Sequence, residues 1–214
     1  MKKRIAGIII VISVIMCGVI CFMRQPDDAK AENVDNTYLL KESTNPIITS
    51  PSPFDYVDKE SYNNILAMGT DAIKPLQEQF DSEETSAMLK YVCGALLEQI
   101  TQCYVTNGTS YRWSNVQEFE ELWTATIDSL PETLENIQND DSMSVEEKQA
   151  ELEKYGVFGK VFAKEAMKTD FEMGSWKMRA TDDKDVKAMY SRLSSEVSDK
   201  DVKNVIEYFD YKCK

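Results

Sequence analysis

Any chemistry in this chain has to come from carboxylates, aromatic rings, amides and hydroxyls, because none of its 214 residues is histidine. That excludes Ser–His–Asp and Cys–His catalysis, and every zinc site that needs an imidazole. The Gly-x-x-x-x-Gly-Lys phosphate loop, the Gly-x-Ser-x-Gly elbow and a Ser-x-x-Lys pair are also missing from the sequence. Glu118, Glu120 and Glu121 lie near Trp113 and Trp123 in sequence, and a glycosidase needs two carboxyls facing one cleft. These three fall mostly off the apolar stripe of their segment, as on a solvated helix face. Asn139-Asp140-Asp141, with Glu146 and Glu147 beyond, hints at a calcium loop. Its fifth position would be Met143, which cannot ligate, and no glycine follows. We therefore expect no catalytic residue, no metal and no cofactor.

The residues best suited to contact a partner lie in YVTNGTSYRW, residues 104–113. Asn107-Gly108 is a turn signal, and tyrosine, tryptophan and arginine are the types that carry binding energy at interfaces. Tyr104, Asn107, Tyr111, Arg112 and Trp113 form the expected binding patch, for a protein partner at the cell surface or, as the alternative, a cell-wall glycan. A carboxylate-based glycan hydrolase is the enzymatic alternative. Packing of the same rings onto the helix ends is the plain structural one.

These residues sit in an exported segment. Residues 5–23, IAGIIIVISVIMCGVICFM, carry no charge and follow Lys2, Lys3 and Arg4. As a helix they extend about 28 Å, close to the ~30 Å of a hydrocarbon core, and the preceding cations favour an N-inside orientation. The expectation is a single-pass anchor with an extracytoplasmic C-terminal domain. Cleavage after Ala31, in the Ala29-Lys30-Ala31 pattern, is the alternative and would release a secreted protein. The whole chain has a formal net charge of −13. Without the four cations of residues 1–24, 20 basic residues face 37 acidic ones, a net of −17. Such a balance repels nucleic acid, so no nucleic-acid partner is expected. Cys93, Cys103 and Cys213 lie outside the apolar run. Three cysteines cannot all pair internally; Cys93 falls on a buried face, and a Cys103–Cys213 bridge is one arrangement of the others.

The organisation expected is an anchor over residues 1–24, a proline-containing disordered tether over 25–56, and an all-α domain over 57–214. Within the domain, helical runs extend from Ser61 to Met68, where Gly69 ends the first, onward to Phe80, and from Glu83 to Gln102. Ser114 with Gln117 suggests a capping box for the next helix, and Pro131 a break or restart in it. Ser144 and Glu147 open another helix that stops at Gly156. The last two helices have Asp182 or Asp183 and Ser198 as N-caps, with Val186, Met189, Tyr190, Leu193 and then Val202, Val205, Ile206, Phe209 at helical spacing.

Two stretches share a helix–glycine–helix form. In the first, Gly69 is followed by Ala72, Ile73, Pro75 and Leu76; in the second, Gly156 by Phe158, Val161 and Phe162. This resembles the helical hairpins of HEAT and armadillo-type repeats, where a glycine turn and an early proline in the second helix are common. It is also similar to small helical ectodomains of uncharacterised anchored proteins of Gram-positive bacteria. The resemblance implies a protein-interaction scaffold. The second unit lacks the proline, and the two glycines stand 87 residues apart (69 to 156). One compact α–α bundle of HEAT-like hairpins is therefore expected rather than a regular solenoid.

Overall fold

The computed structural model describes residues 39–44, 50, 52–108, 113–172 and 184–212. They belong to a compact unit that begins at Thr37. Its helices are α1 (Lys59–Met68), α2 (Ile73–Asp81), α3 (Ala87–Thr101), α4 (Val116–Asn139), α5 (Val145–Glu153), α6 (Gly156–Glu172), α7 (Lys184–Glu196) and α8 (Asp199–Lys212). Two 3-10 turns, Pro53–Tyr56 and Gly69–Ala72, precede and follow α1. Among the described residues the β structure is confined to an isolated antiparallel bridge between Glu42 and Val57. The unit is all-α. No helix among the described residues is long and apolar enough to cross a membrane; the expected anchor, residues 5–23, lies outside them.

Local chemistry fixes most helix ends. Asp58 caps α1 by accepting from Ser61 N at 2.6 Å, and Gly69 ends it at φ 58°, ψ −130°, a conformation that glycine supplies. Ser86 caps α3, which therefore starts at Ala87 rather than near Glu83; the residues between form a turn in which Thr85 N donates to Ser82 O. The cap expected at Ser114 falls one residue later, at Asn115, and the capping box expected with Gln117 does not form. Asn115 Oδ1 accepts from Glu118 N at 2.9 Å, and the Glu118 carboxylate reaches back to Ser114 N and Oγ at 2.6 Å each. The box at Ser144 with Glu147 is present, and Ser198, the expected N-cap of α8, accepts from Asp201 N while its own N–H donates to the Asp201 carboxylate. Asp182 and Asp183 lie outside the described residues.

Pro131 neither breaks nor restarts α4, which runs through it. A proline inside a helix forfeits one backbone bond and crowds the carbonyl four residues back. The buried stripe Phe119, Trp123, Ile127, Leu130 and Leu134 continues across it, so packing on both sides outweighs that cost. Nearby hydroxyls take carbonyls too: Ser129 Oγ donates to Thr126 O and Thr133 Oγ1 to Ser129 O.

Helix α2 packs on α3 and α8, while α3 also meets α4 and α6, and α6 touches α5, α7 and α8. An aromatic series runs through the interior: Phe80 on Phe119, Phe119 on Trp123, Trp123 on Phe158, Phe158 on Tyr208. Its polar tips are satisfied together. Trp123 Nε1 donates to Gln77 Oε1 at 3.0 Å and to the Tyr208 hydroxyl at 2.8 Å, and that hydroxyl donates to Gln77 Oε1 at 3.2 Å. Gln77 thus occupies a place in the apolar stripe of α2 because two buried rings need an acceptor.

Glycine permits the closest approaches. A Cβ on Gly94 would lie 2.9 Å from the Phe119 ring, where α3 meets α4. A Cβ on Gly156, at φ +58°, would lie 2.0 Å from the carbonyl oxygen of Thr101 at the end of α3.

The expectation of a disordered tether over residues 25–56 does not hold for residues 39–43 and 56, which are bonded to the helical body; residues 25–38 lie outside the described residues. Leu40 and Val57 are buried with the core, and backbone bonds join Ser43 N to Tyr56 O and Asp58 N to Lys41 O. The buried Gln79 side chain binds both main-chain groups of Leu40. The ordering is carried by main-chain bonds and by Leu40 and Val57, which have no helical period, so the segment resembled a linker.

Candidate interaction site

The run after α3 is set by the left-handed cap at Gln102, φ 56°. From there side chains alternate: Cys103 and Val105 are buried, Tyr104 and Thr106 exposed. Glu98, buried on α3, pins this run by accepting from Val105 N at 2.8 Å. Tyr104, between two buried residues, is left 49% exposed. Gly108 bends the chain after Asn107 at φ 81°; residues 109–112, which would complete the expected turn, lie outside the described residues.

The five expected binding residues have different fates. Tyr104 faces solvent. Asn107 is exposed, and its amide donates to Glu118 Oε1 at 2.5 Å, tying the loop to the cap of α4. Trp113 is buried, with its ring centroid 4.5 Å from that of Tyr91 and 4.9 Å from that of Phe119. A large apolar ring beside two others gains more from that packing than from water, so Trp113 belongs to the core rather than to an exposed patch. Its Nε1 is buried without a hydrogen-bond partner among the described residues. Tyr111 and Arg112 lie outside the described residues.

A second set of rings, absent from the sequence-based patch, reaches the surface through Trp113. Tyr91 touches Phe54, with centroids 6.3 Å apart, and Phe54 meets Tyr62 at 6.0 Å, both edge to face. Phe54 is 41% exposed, and Met88, one turn before Tyr91 on α3, is also exposed. Tyr62 is held from the other side, donating its hydroxyl to Gln99 Oε1 at 2.9 Å. The result is a series of rings from solvent at Phe54, through Tyr91 and Trp113, to Phe119 in the interior. Phe54 follows Pro53 in a 3-10 turn. The Pro-Phe-Asp-Tyr run was the available signal, obscured by its place in the apparent tether.

The carboxylates are committed elsewhere. Hydrogen bonds from Ser114 and Asn107 hold Glu118 below the usual carboxylate range, whereas a glycosidase acid needs a raised value. Asp140 is lowered in the same way by the hydroxyl and backbone N–H of Ser142, which close its turn. Among the described residues Glu98 is the single buried acidic side chain. The buried thiols Cys93 and Cys103 are free, and burial pushes both up to about 12. Cys213 lies outside the described residues.

Compared with known proteins, the chain matches no family model, no curated protein and no solved structure.

Proposed function

We propose that this chain is a membrane-tethered, extracytoplasmic protein-interaction module, a bundle of HEAT-like helical hairpins. The observation that carries the interaction is the ring series from exposed Phe54 to the partly buried Tyr62 and Tyr91, backed by Trp113 and Phe119, with Tyr104 also presented to solvent. Rings locked from behind give up little freedom on binding, the property of an interface anchor. The tether rests on the uncharged run 5–23 and the cations before it. In this reading residues 5–23 hold the domain at the membrane and a protein partner covers the rings.

Glycan binding is the second reading, since stacked rings also suit sugar faces. The hydrolase variant gains no support from Glu118, whose carboxylate is held ionised at a helix cap. Crosslinking in intact cells, purification through a C-terminal tag and mass spectrometry test the proposal. A recurrent protein partner on bait that still carries residues 5–23 supports the tethered module. A bait starting at Glu32, without partner, favours a secreted glycan-directed protein.

A further inference from the structure

Residues 39–43 lie on the helical body as a bound peptide lies on a receptor. Gln79, 8% exposed, accepts from Leu40 N at 2.9 Å and donates to Leu40 O at 2.8 Å. One side-chain amide thereby reproduces the pairing of a neighbouring strand. The Cys93 thiol, 3.7 Å away, donates to the same Gln79 oxygen and holds it turned toward Leu40 N. Lys41 N donates to Ser61 Oγ at 3.2 Å, Asp58 N to Lys41 O at 2.9 Å, and Ser43 N to Tyr56 O at 2.7 Å.

Two side chains of this segment hold it to the helical body. Leu40 enters the core at 2% exposure, and the Glu42 carboxylate accepts from Ser86 Oγ at 2.8 Å. The side chains of Leu39 and Lys41 point to solvent. The other bonds given above are made by its main chain, which any extended peptide carries.

We propose that the groove formed by Gln79, Ser61, Ser86 and the edge at residues 56–58 is a recognition site for an extended Leu-x-Glu peptide. In this chain it is filled by Leu40-Lys41-Glu42. A partner segment of that chemistry displaces the strap: the main-chain bonds are the same for both, and one leucine side chain is the principal apolar hold. The inference does not depend on the aromatic series or on the membrane anchor.

A fluorescent peptide of residues 37–44, Thr-Tyr-Leu-Leu-Lys-Glu-Ser-Thr, is titrated by anisotropy into the full chain in mild detergent. Wild type competes with its own strap. Leu40→Asp, which cannot bury its carboxylate, frees the groove and binds the peptide at least about tenfold more tightly. Adding Gln79→Leu to that variant removes the gain, and a probe peptide with Asp at the Leu40 place does not bind. A Leu40→Asp protein of unchanged helicity that binds no better than wild type overturns the proposal, as does binding indifferent to Gln79→Leu. If Leu40→Asp loses its helices, Leu40→Ala is held to the same comparison.

Discussion

Gly69 and Gly156 have the same φ, +58°, in very different surroundings, and so separate two costs of adding a methyl group. A Cβ at Gly69 meets nothing within 4 Å. Gly69→Ala therefore pays for backbone strain alone, about 2 kcal/mol for a residue held in a sparsely populated region. A Cβ at Gly156 would lie 2.0 Å from Thr101 O, 2.6 Å from Gln102 C and 2.8 Å from Gln102 O, all backbone atoms that no rotamer change can move. Gly156→Ala therefore adds a displacement of the α5–α6 turn from the end of α3, about 2 kcal/mol on the scale of overpacked cores. The totals are about 2 and about 4 kcal/mol. For a unit of this size that lowers Tm by about 4–8 °C and about 8–16 °C respectively. Thermal unfolding followed by circular dichroism at 222 nm reads both. Equal losses would refute the reasoning, because they would mean that the α5–α6 turn does not press on the end of α3.

Three further outcomes follow from the packing. Leu40→Ala is expected to lose about 2–5 kcal/mol in denaturant unfolding, the range for a leucine in a core; a residue in a disordered tether would lose less than about 0.5 kcal/mol. Trp113→Ala is expected to cost about 3–5 kcal/mol and Tyr104→Ala less than about 0.5 kcal/mol, so equal stability of the two variants would contradict the core placement of Trp113. Asp71 is held below its ordinary value by the hydrogen bond from Lys200; at Asp201, burial pushes up but is outweighed by hydrogen bonds from Ser198 and Thr70. Folded values below the unfolded 3.8 mean stability that is present above that pH and is lost as pH falls through the folded values. The double variant Asp71→Asn, Asp201→Asn should thus flatten the decline in Tm between about pH 5 and pH 2, and an unchanged acid limb would contradict it.

Much of the helical framework was legible in the sequence because its signals are local. Gly69, Ser144 with Glu147, and Ser198 act through backbone groups within a few residues, and each marks its helix end where expected. Asn115 displaced Ser114 as cap because neighbouring residues can both accept from a helix start, and the pairing with Glu118 decided the register. Pro131 was misread because the stripe on either side of it is a tertiary effect. The candidate site was less legible. Trp113 has the composition of an anchor, but its fate depends on Tyr91 and Phe119, distant in sequence. Phe54 reaches the surface only once Tyr62 and Tyr91 support it, and the Leu40 strap depends on Gln79, 39 residues away.

The account stands or falls on whether Phe54 and Tyr104 touch a protein partner. Crosslinking in intact cells, with tagged wild type beside Phe54→Ala, Tyr104→Ala at matched abundance and helicity, measures that directly. The account predicts one recurrent protein on the wild type and its loss from the double variant. Recovery of the same protein from both, or of none from the wild type, would contradict it.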